Sequence, residues 1–370
     1  MLRKISISLM ATAFVMTGYA QTEASPEQKP TTSEAAPEDD KPTTTISGSA
    51  DTYYRYDFYK TKSNNFTSFT NSHNSIELGM ASVKIDHKRG KVNMVADLGF
   101  GKRAQEFAYN DEGVVSAIKQ LYVSYAPAEW IKFTAGSWAT HLGYELVDPQ
   151  LNRNYSMSYM FTNGPFTHTG LKADFTAGKH GFMLGVANPT DYRTAPEEGL
   201  NKKHFIGQYS IAFTENTKAY VNFVAGKAPD SSKANQIDLV LTTKISDKFS
   251  LGYNGTVANY KFKQANGNKY LASQNWWGSA LYVNVDPVSW FGLTLRGEYF
   301  SDKDMIKVYS SEPKGGSIFA TTLSANFKVN SFIIIPEFRV DNASENIFTD
   351  TNGSKKSTAG NFLLAAVYSF

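Results

Sequence analysis

The sequence predicts an all-β protein, a transmembrane antiparallel β-barrel of about sixteen strands with short turns on one rim and long loops on the other. Three observations carry that prediction. Segments of ~10 residues alternate apolar and polar side chains, connections alternate between tight and long, and the composition is aromatic without long apolar runs. The 370 residues include 25 Phe, 21 Tyr and 27 Gly at a mean hydropathy of −0.36. After residue 20 no run approaches the ~18 apolar residues of a membrane helix, so a helical membrane protein is excluded.

From the start, MLRKISISLMATAFVMTGYA sets Arg3 and Lys4 before an apolar run and places Gly18 and Ala20 just before Gln21. That is the pattern of a secretory signal peptide over residues 1–20. No Cys occurs, so the exported chain has neither disulfides nor the acylated Cys of a lipoprotein. Residues 21–45 are Pro, Thr, Glu and Ala with almost no large apolar side chain, and they are expected to form a disordered tail. The tail carries six acids and two bases, whereas residues 46–370 hold 33 bases against 28 acids. The excess is mild and spread out with no Lys/Arg block, so nucleic acid is not an expected partner.

The first strand reads Ile46, Gly48, Ala50, Thr52, Tyr54, Tyr56, Phe58 on one parity and Ser47, Ser49, Asp51, Tyr53, Arg55, Asp57 on the other. The pattern returns around Val92 to Phe100, Ile237 to Leu241 and Phe291 to Leu295. HKRGK, APAEW, GKHG, TENTK, SDK, DPVSW and VNS are tight turns. Between the hairpins lie long stretches near 60–74, 102–117, 140–166, 189–202, 227–235, 261–274, 301–316 and 342–358. Seven turns and eight loops separate sixteen strands, which puts both termini on the tight-turn, periplasmic rim. The strand over 75–87 changes parity between Met80 and Ala81, which predicts a bulge and makes fourteen or eighteen the neighbouring counts.

Trp130, Phe182, Phe249, Trp290 and Phe332 each follow a tight turn and suit an interfacial girdle. The last segment, NFLLAAVYSF, ends with Tyr368 and Phe370 on one face, resembling the C-terminal signal by which barrel-assembly machinery recognises outer-membrane barrels. The apolar parity is expected to face outer-membrane lipid and the polar parity a lumen, since sixteen strands leave an aqueous channel. Expected lumen residues are Asp51, Arg55, Asp57, Asp97, Lys132, Lys172, Asp174, Asp238, Lys244, Arg296, Glu298, Glu337 and Arg339. Both signs occur among them, so strong ion selectivity does not follow.

Residues 140–166 form the third outer loop and break the rhythm. Unlike the other long loops, this one holds Leu142, Tyr144, Leu146, Val147, Leu151, Tyr155, Met157, Tyr159, Met160 and Phe161. A long loop that keeps apolar residues packs on something, and the expected place is inside the barrel. Glu145, Asp148 and Arg153 are expected to face the passage, with Asn154 and Tyr155 beside them at the constriction. The alternative is a cap folded over the mouth.

SGSADTYYRYDF at 47–58 and GYELVDPQLNRNYSMSYMFTNGPFTHTGLKA at 143–173 resemble the two best-marked stretches of the OmpL-like β-barrel porin family, common in Bacteroidetes. The likeness spans about 46–370. Where an aromatic often precedes the family's Asn-Tyr-Ser step, this chain has Arg153. The resemblance implies a Gram-negative outer-membrane channel that passes small hydrophilic solutes passively and is not an enzyme. It implies no cofactor and supplies no ligand residues to transfer; trimers are usual for general porins, so a homo-oligomer fits the class.

Two other classes compete. One is an occluded structural or surface-interaction barrel. The other is an outer-membrane barrel hydrolase using His141 or His168 with Ser156 or Ser158, which no Gly-x-Ser-x-Gly context or orienting acid supports. Of the other histidines, His73, His87, His180 and His204, none makes a pair at metal-site spacing, so no metal site is predicted.

Overall fold

The computed structural model describes residues 41–264 and 269–370. The expected signal peptide and all but the last five residues of the expected tail lie outside that range. Sixteen antiparallel strands close into one barrel in which sequence neighbours pair, and the first strand, Thr43–Asp57, also pairs with the last, Thr358–Ser369. The seam runs from Ser49↔Ser369 to Asp57↔Asn361. Beyond it Gly48 and Phe370 exchange two backbone hydrogen bonds of 3.0 Å. Closure leaves no sheet edge with unpaired N–H and C=O groups, which is the condition for strands to cross hydrocarbon.

The alternation sorts the side chains as the sequence predicts. Ile76 and Leu78 are each 78% exposed on the outside, whereas Asp51, Tyr53, Arg55 and Asp57 are buried inside. Tight turns bend through left-handed positions where a Cβ is costly, and the chain supplies Gly90, Gly178 and Asn330 there, with φ of 54°, 59° and 54°. Trp130 and Trp290 remain more than half exposed on this rim, as a girdle requires.

The predicted bulge lies where the parity changes. Ala50 faces Ala81 but Thr52 faces Leu78, so Asp51 stands opposite both Gly79 and Met80. The Asp51 carboxylate accepts from the Met80 N–H at 3.0 Å. A Cβ on Gly79 would collide with that carboxylate, so only glycine fits. The barrel begins at Thr43, three residues before the expected Ile46, because Thr43, Thr44 and Thr45 extend the hairpin by pairing with Lys88, His87 and Asp86.

The barrel holds a second, soluble-like core inside its outer half. Phe69 from the first outer loop and Phe107 from the short helix Lys102–Ala108 pack with Phe161 and Phe166 of the third. Ring centroids there lie 5.6 Å apart for Phe107 and Phe166, and 5.9 Å for Phe69 and Phe161. Tyr159 and Met160 join Trp276, Phe300, Tyr309, Ile347 and Phe348 in a neighbouring cluster. Each large side chain removed from water contributes roughly 1.5–3 kcal/mol.

Candidate functional site: the loop-filled lumen

The third outer loop leaves the wall after the strand Ile131–Ala139 and rejoins it at Thr167–Ala177. Local chemistry shapes it. Pro149 starts a single helical turn, Pro149–Leu151. The Asn152 amide bridges back, accepting from the Leu146 N–H at 3.0 Å and donating to the Leu146 carbonyl. Ser158 caps the short helix Tyr159–Asn163, its Oγ accepting from the Phe161 N–H at 3.0 Å.

A loop with so little secondary structure carries many unpaired backbone groups, and the wall satisfies them. Glu298 accepts from the N–H groups of Tyr159 and Met160, both at 2.8 Å. Glu337 accepts from Tyr155 N–H at 2.8 Å and Ser156 N–H at 3.2 Å. Arg296 donates to the Ser156 carbonyl at 2.8 Å and Arg339 to the Met157 carbonyl at 2.7 Å. The phenol of Tyr159 donates to Asp341 at 2.9 Å, and that of Tyr155 to Asp51. Charge-assisted bonds of this kind are the stronger ones. They tie the backbone of residues 155–160 to inward-facing side chains of the wall.

Of the expected constriction residues, Glu145, Asn154 and Tyr155 are turned to the wall and buried, not facing open space. Glu145 pairs with Arg296 and accepts from the Ser158 N–H at 2.7 Å and the Tyr282 hydroxyl at 3.1 Å. Asn154 donates to Ser324 Oγ at 2.6 Å. The physical reason is that a carboxylate or amide beside donors on both sides keeps its hydrogen bonds while the aromatics around it leave water. Asp148 pairs with Lys119, which also holds Asp97 at 3.1 Å. Arg153 grips Asp286 through both terminal nitrogens at 2.8 Å and Thr294 through Nε at 2.8 Å, keeping 22% of its side chain exposed.

All thirteen expected lumen residues lie on the inward parity. Asp51, Arg55, Asp57, Asp97, Lys172, Asp238, Arg296, Glu298, Glu337 and Arg339 are buried, while Lys132, Asp174 and Lys244 keep contact with solvent. Two cavities flank the loop, one beside Tyr144, Arg153 and Asn284, the other beside Leu142, Gln236 and Asn254, and each has room for about one water.

Several anchors escaped the sequence reading. Arg103, read as part of a polar loop, sits on a helix with its guanidinium 4.6 Å from the Tyr155 ring and 4.9 Å from Phe69. Asp286 lay hidden in a turn motif, and Lys119, Ser324 and Asp341 carry no motif. His141 and His168 do lie together, with ring centroids 5.1 Å apart and the planes tilted by 44°. His141 Nε2 lies 3.1 Å from the Gly207 carbonyl, and His168 Nε2 lies 3.0 Å from Thr140 Oγ1. Ser158 is committed to its cap, and among the described residues no hydrogen bond joins either ring to Ser156 or Ser158. In the fourth outer loop Asp191 fastens the end of the third, accepting from Phe166 N–H at 2.7 Å and Thr167 N–H at 2.8 Å. Burial pushes its carboxyl up to about 6, against the lowering effect of those two N–H groups.

The family model described as "Putative beta-barrel porin-2, OmpL-like" matches residues 43–370. No protein of curated function matches the sequence. Among solved structures, the anion-selective porin from Comamonas acidovorans superposes with a TM-score of 0.58 at 11% identity, covering 89% of this chain and 100% of that one. The outer-membrane channel DcaP of Acinetobacter baumannii gives 0.60 at 11% identity over 89% and 97%. OmpT of Vibrio cholerae gives 0.56 at 10% identity over 89% and 98%. At such identities the likeness concerns the fold, whereas the family match spans nearly the whole chain. A closed sixteen-stranded barrel with a polar interior and a match over 43–370 together place this chain in the OmpL-like β-barrel porin family, as an outer-membrane porin.

Proposed function

We propose that this porin passes small hydrophilic solutes by passive diffusion, with residues 140–166 narrowing the path. Supporting this is the way the loop is held: its backbone donors end on Glu298 and Glu337, two side chains of the barrel wall. A segment so anchored narrows the lumen at a fixed width, and solutes are sorted by that width and by lining charge. Export through the signal peptide, insertion by the assembly machinery through Tyr368 and Phe370, and embedding in outer-membrane lipid complete the proposal.

The test is single-channel conductance in a planar bilayer, comparing the intact protein with one whose residues 144–160 are replaced by a short Gly/Ser loop. A steady current that rises on replacement is expected. The burial of the wall residues favours a second reading, in which the loop shuts the barrel and the protein serves as an occluded structural barrel. An intact protein without current, beside a loop-replaced one that conducts, would select that reading.

A further inference from the structure

Depth sorts the charges inside the barrel. Where the loop is seated, five cations (Arg55, Arg103, Lys119, Arg296, Arg339) stand with seven carboxylates (Asp51, Asp57, Asp97, Glu145, Glu298, Glu337, Asp341). All are buried, and the excess negative charge is met by loop N–H groups and hydroxyls. A solute does not reach these groups.

The periplasmic vestibule has the opposite balance. Within four residues of the tight turns, on the inward parity, stand Lys88, Lys132, Lys218, Lys244 and Lys328, and Arg153 descends from the loop to the same level. Four carboxylates among the described residues face them there, Asp86, Asp174 and Asp286 on the inward parity and Asp247 in a turn, where it holds Lys244 at 2.7 Å. The pairing is two cations to one carboxylate in two places. Asp286 takes Arg153 at 2.8 Å and Lys328 at 3.3 Å. Asp174 takes Lys132 at 3.8 Å and Lys172 at 3.6 Å. Lys132, Lys244 and Lys328 keep 44%, 30% and 35% of their side chains exposed, so their field acts on whatever enters.

We infer that this vestibule makes the channel anion-preferring, passing small hydrophilic anions more readily than cations of the same size. A cleft with low-dielectric walls and one dominant sign focuses its field and raises the local counter-ion concentration. The inference rests on the porin reading and names its solute class. The cause is the surplus of vestibule cations over the carboxylates that share their space.

The test is the zero-current potential across a planar bilayer under a KCl gradient, first at low salt and then near 1 M. The expected result is chloride passing about threefold or more over potassium at low salt, falling toward equality as the Debye length shrinks from ~10 Å to ~3 Å. The double variant Lys132→Gln, Lys218→Gln should at least halve the preference, while Asp174→Asn should raise it. Opposite responses to removing opposite charges separate a field effect from misfolding. A conducting channel with cation preference, or with none at low salt, overturns the inference and leaves the porin intact. Silence from both the intact and the loop-replaced protein overturns the porin reading and this inference with it.

Discussion

At the residue scale, the account turns on a few wall side chains that serve as hydrogen-bond partners for a loop backbone. Glu337 supports Tyr155 and Ser156 at once, so Glu337→Ala should leave two buried N–H groups unpartnered, at ~1–3 kcal/mol each. Limited proteolysis should cut within 150–160 at least tenfold faster than in the wild type, and an unchanged rate would deny the anchoring. Asp191 gives the pH prediction. Its carboxyl is raised from 3.8 to about 6, so the stability it adds is full below 3.8 and lost as pH rises through about 6. The Phe166 and Thr167 amides should therefore be protected from hydrogen exchange roughly tenfold better at pH 5 than at pH 8, a difference that Asp191→Asn should abolish. None of these partnerships was legible beforehand. Arg153 and Asp286, or Tyr155 and Glu337, lie more than a hundred positions apart, and only closure brings their strands to one loop.

At the element scale, the strands were legible because alternation with period two is forced wherever one face meets lipid and the other a polar interior. The bulge was legible for the same reason, since a parity change has few other causes. Gly79→Val places a branched side chain where the Asp51 carboxylate sits. It should lower the unfolding temperature of the barrel by several degrees and free the Tyr155 hydroxyl, as read by gel heat-modifiability and by tyrosine fluorescence. The short helices Lys102–Ala108 and Tyr159–Asn163 escaped notice because one or two turns carry no readable helical period. The start of the first strand was missed because three threonines in a row neither alternate nor end a run.

At the scale of the whole molecule, the strand count, the rims and the inside–outside inversion could be read from the sequence. The filling of the barrel could be read only in part. The apolar content of 140–166 said that the loop is packed, yet it did not say that Phe69, Phe107 and Ile347 from three other loops would meet it there. Charge by depth was equally hidden, because a list of polar-parity residues carries no height. The last residue finishes the closing seam: removing Phe370 deletes both of its backbone bonds to Gly48 and an exposed ring at the rim. Assembly yield in vesicles should fall severalfold, while a Phe370→Tyr protein should assemble normally.

The central claim is that the third outer loop is seated on the lumen wall, and the absence of native cysteine permits a direct test. Asn154→Cys and Ser324→Cys would put two thiols where the side chains now meet at 2.6 Å, one on the loop and one on the wall. Treated with a short bifunctional thiol reagent in intact outer membranes, the double variant should crosslink within one chain in high yield, and each single variant should not. Failure to crosslink while both thiols react freely with a membrane-impermeant maleimide would contradict the account, because the loop would then lie outside the barrel.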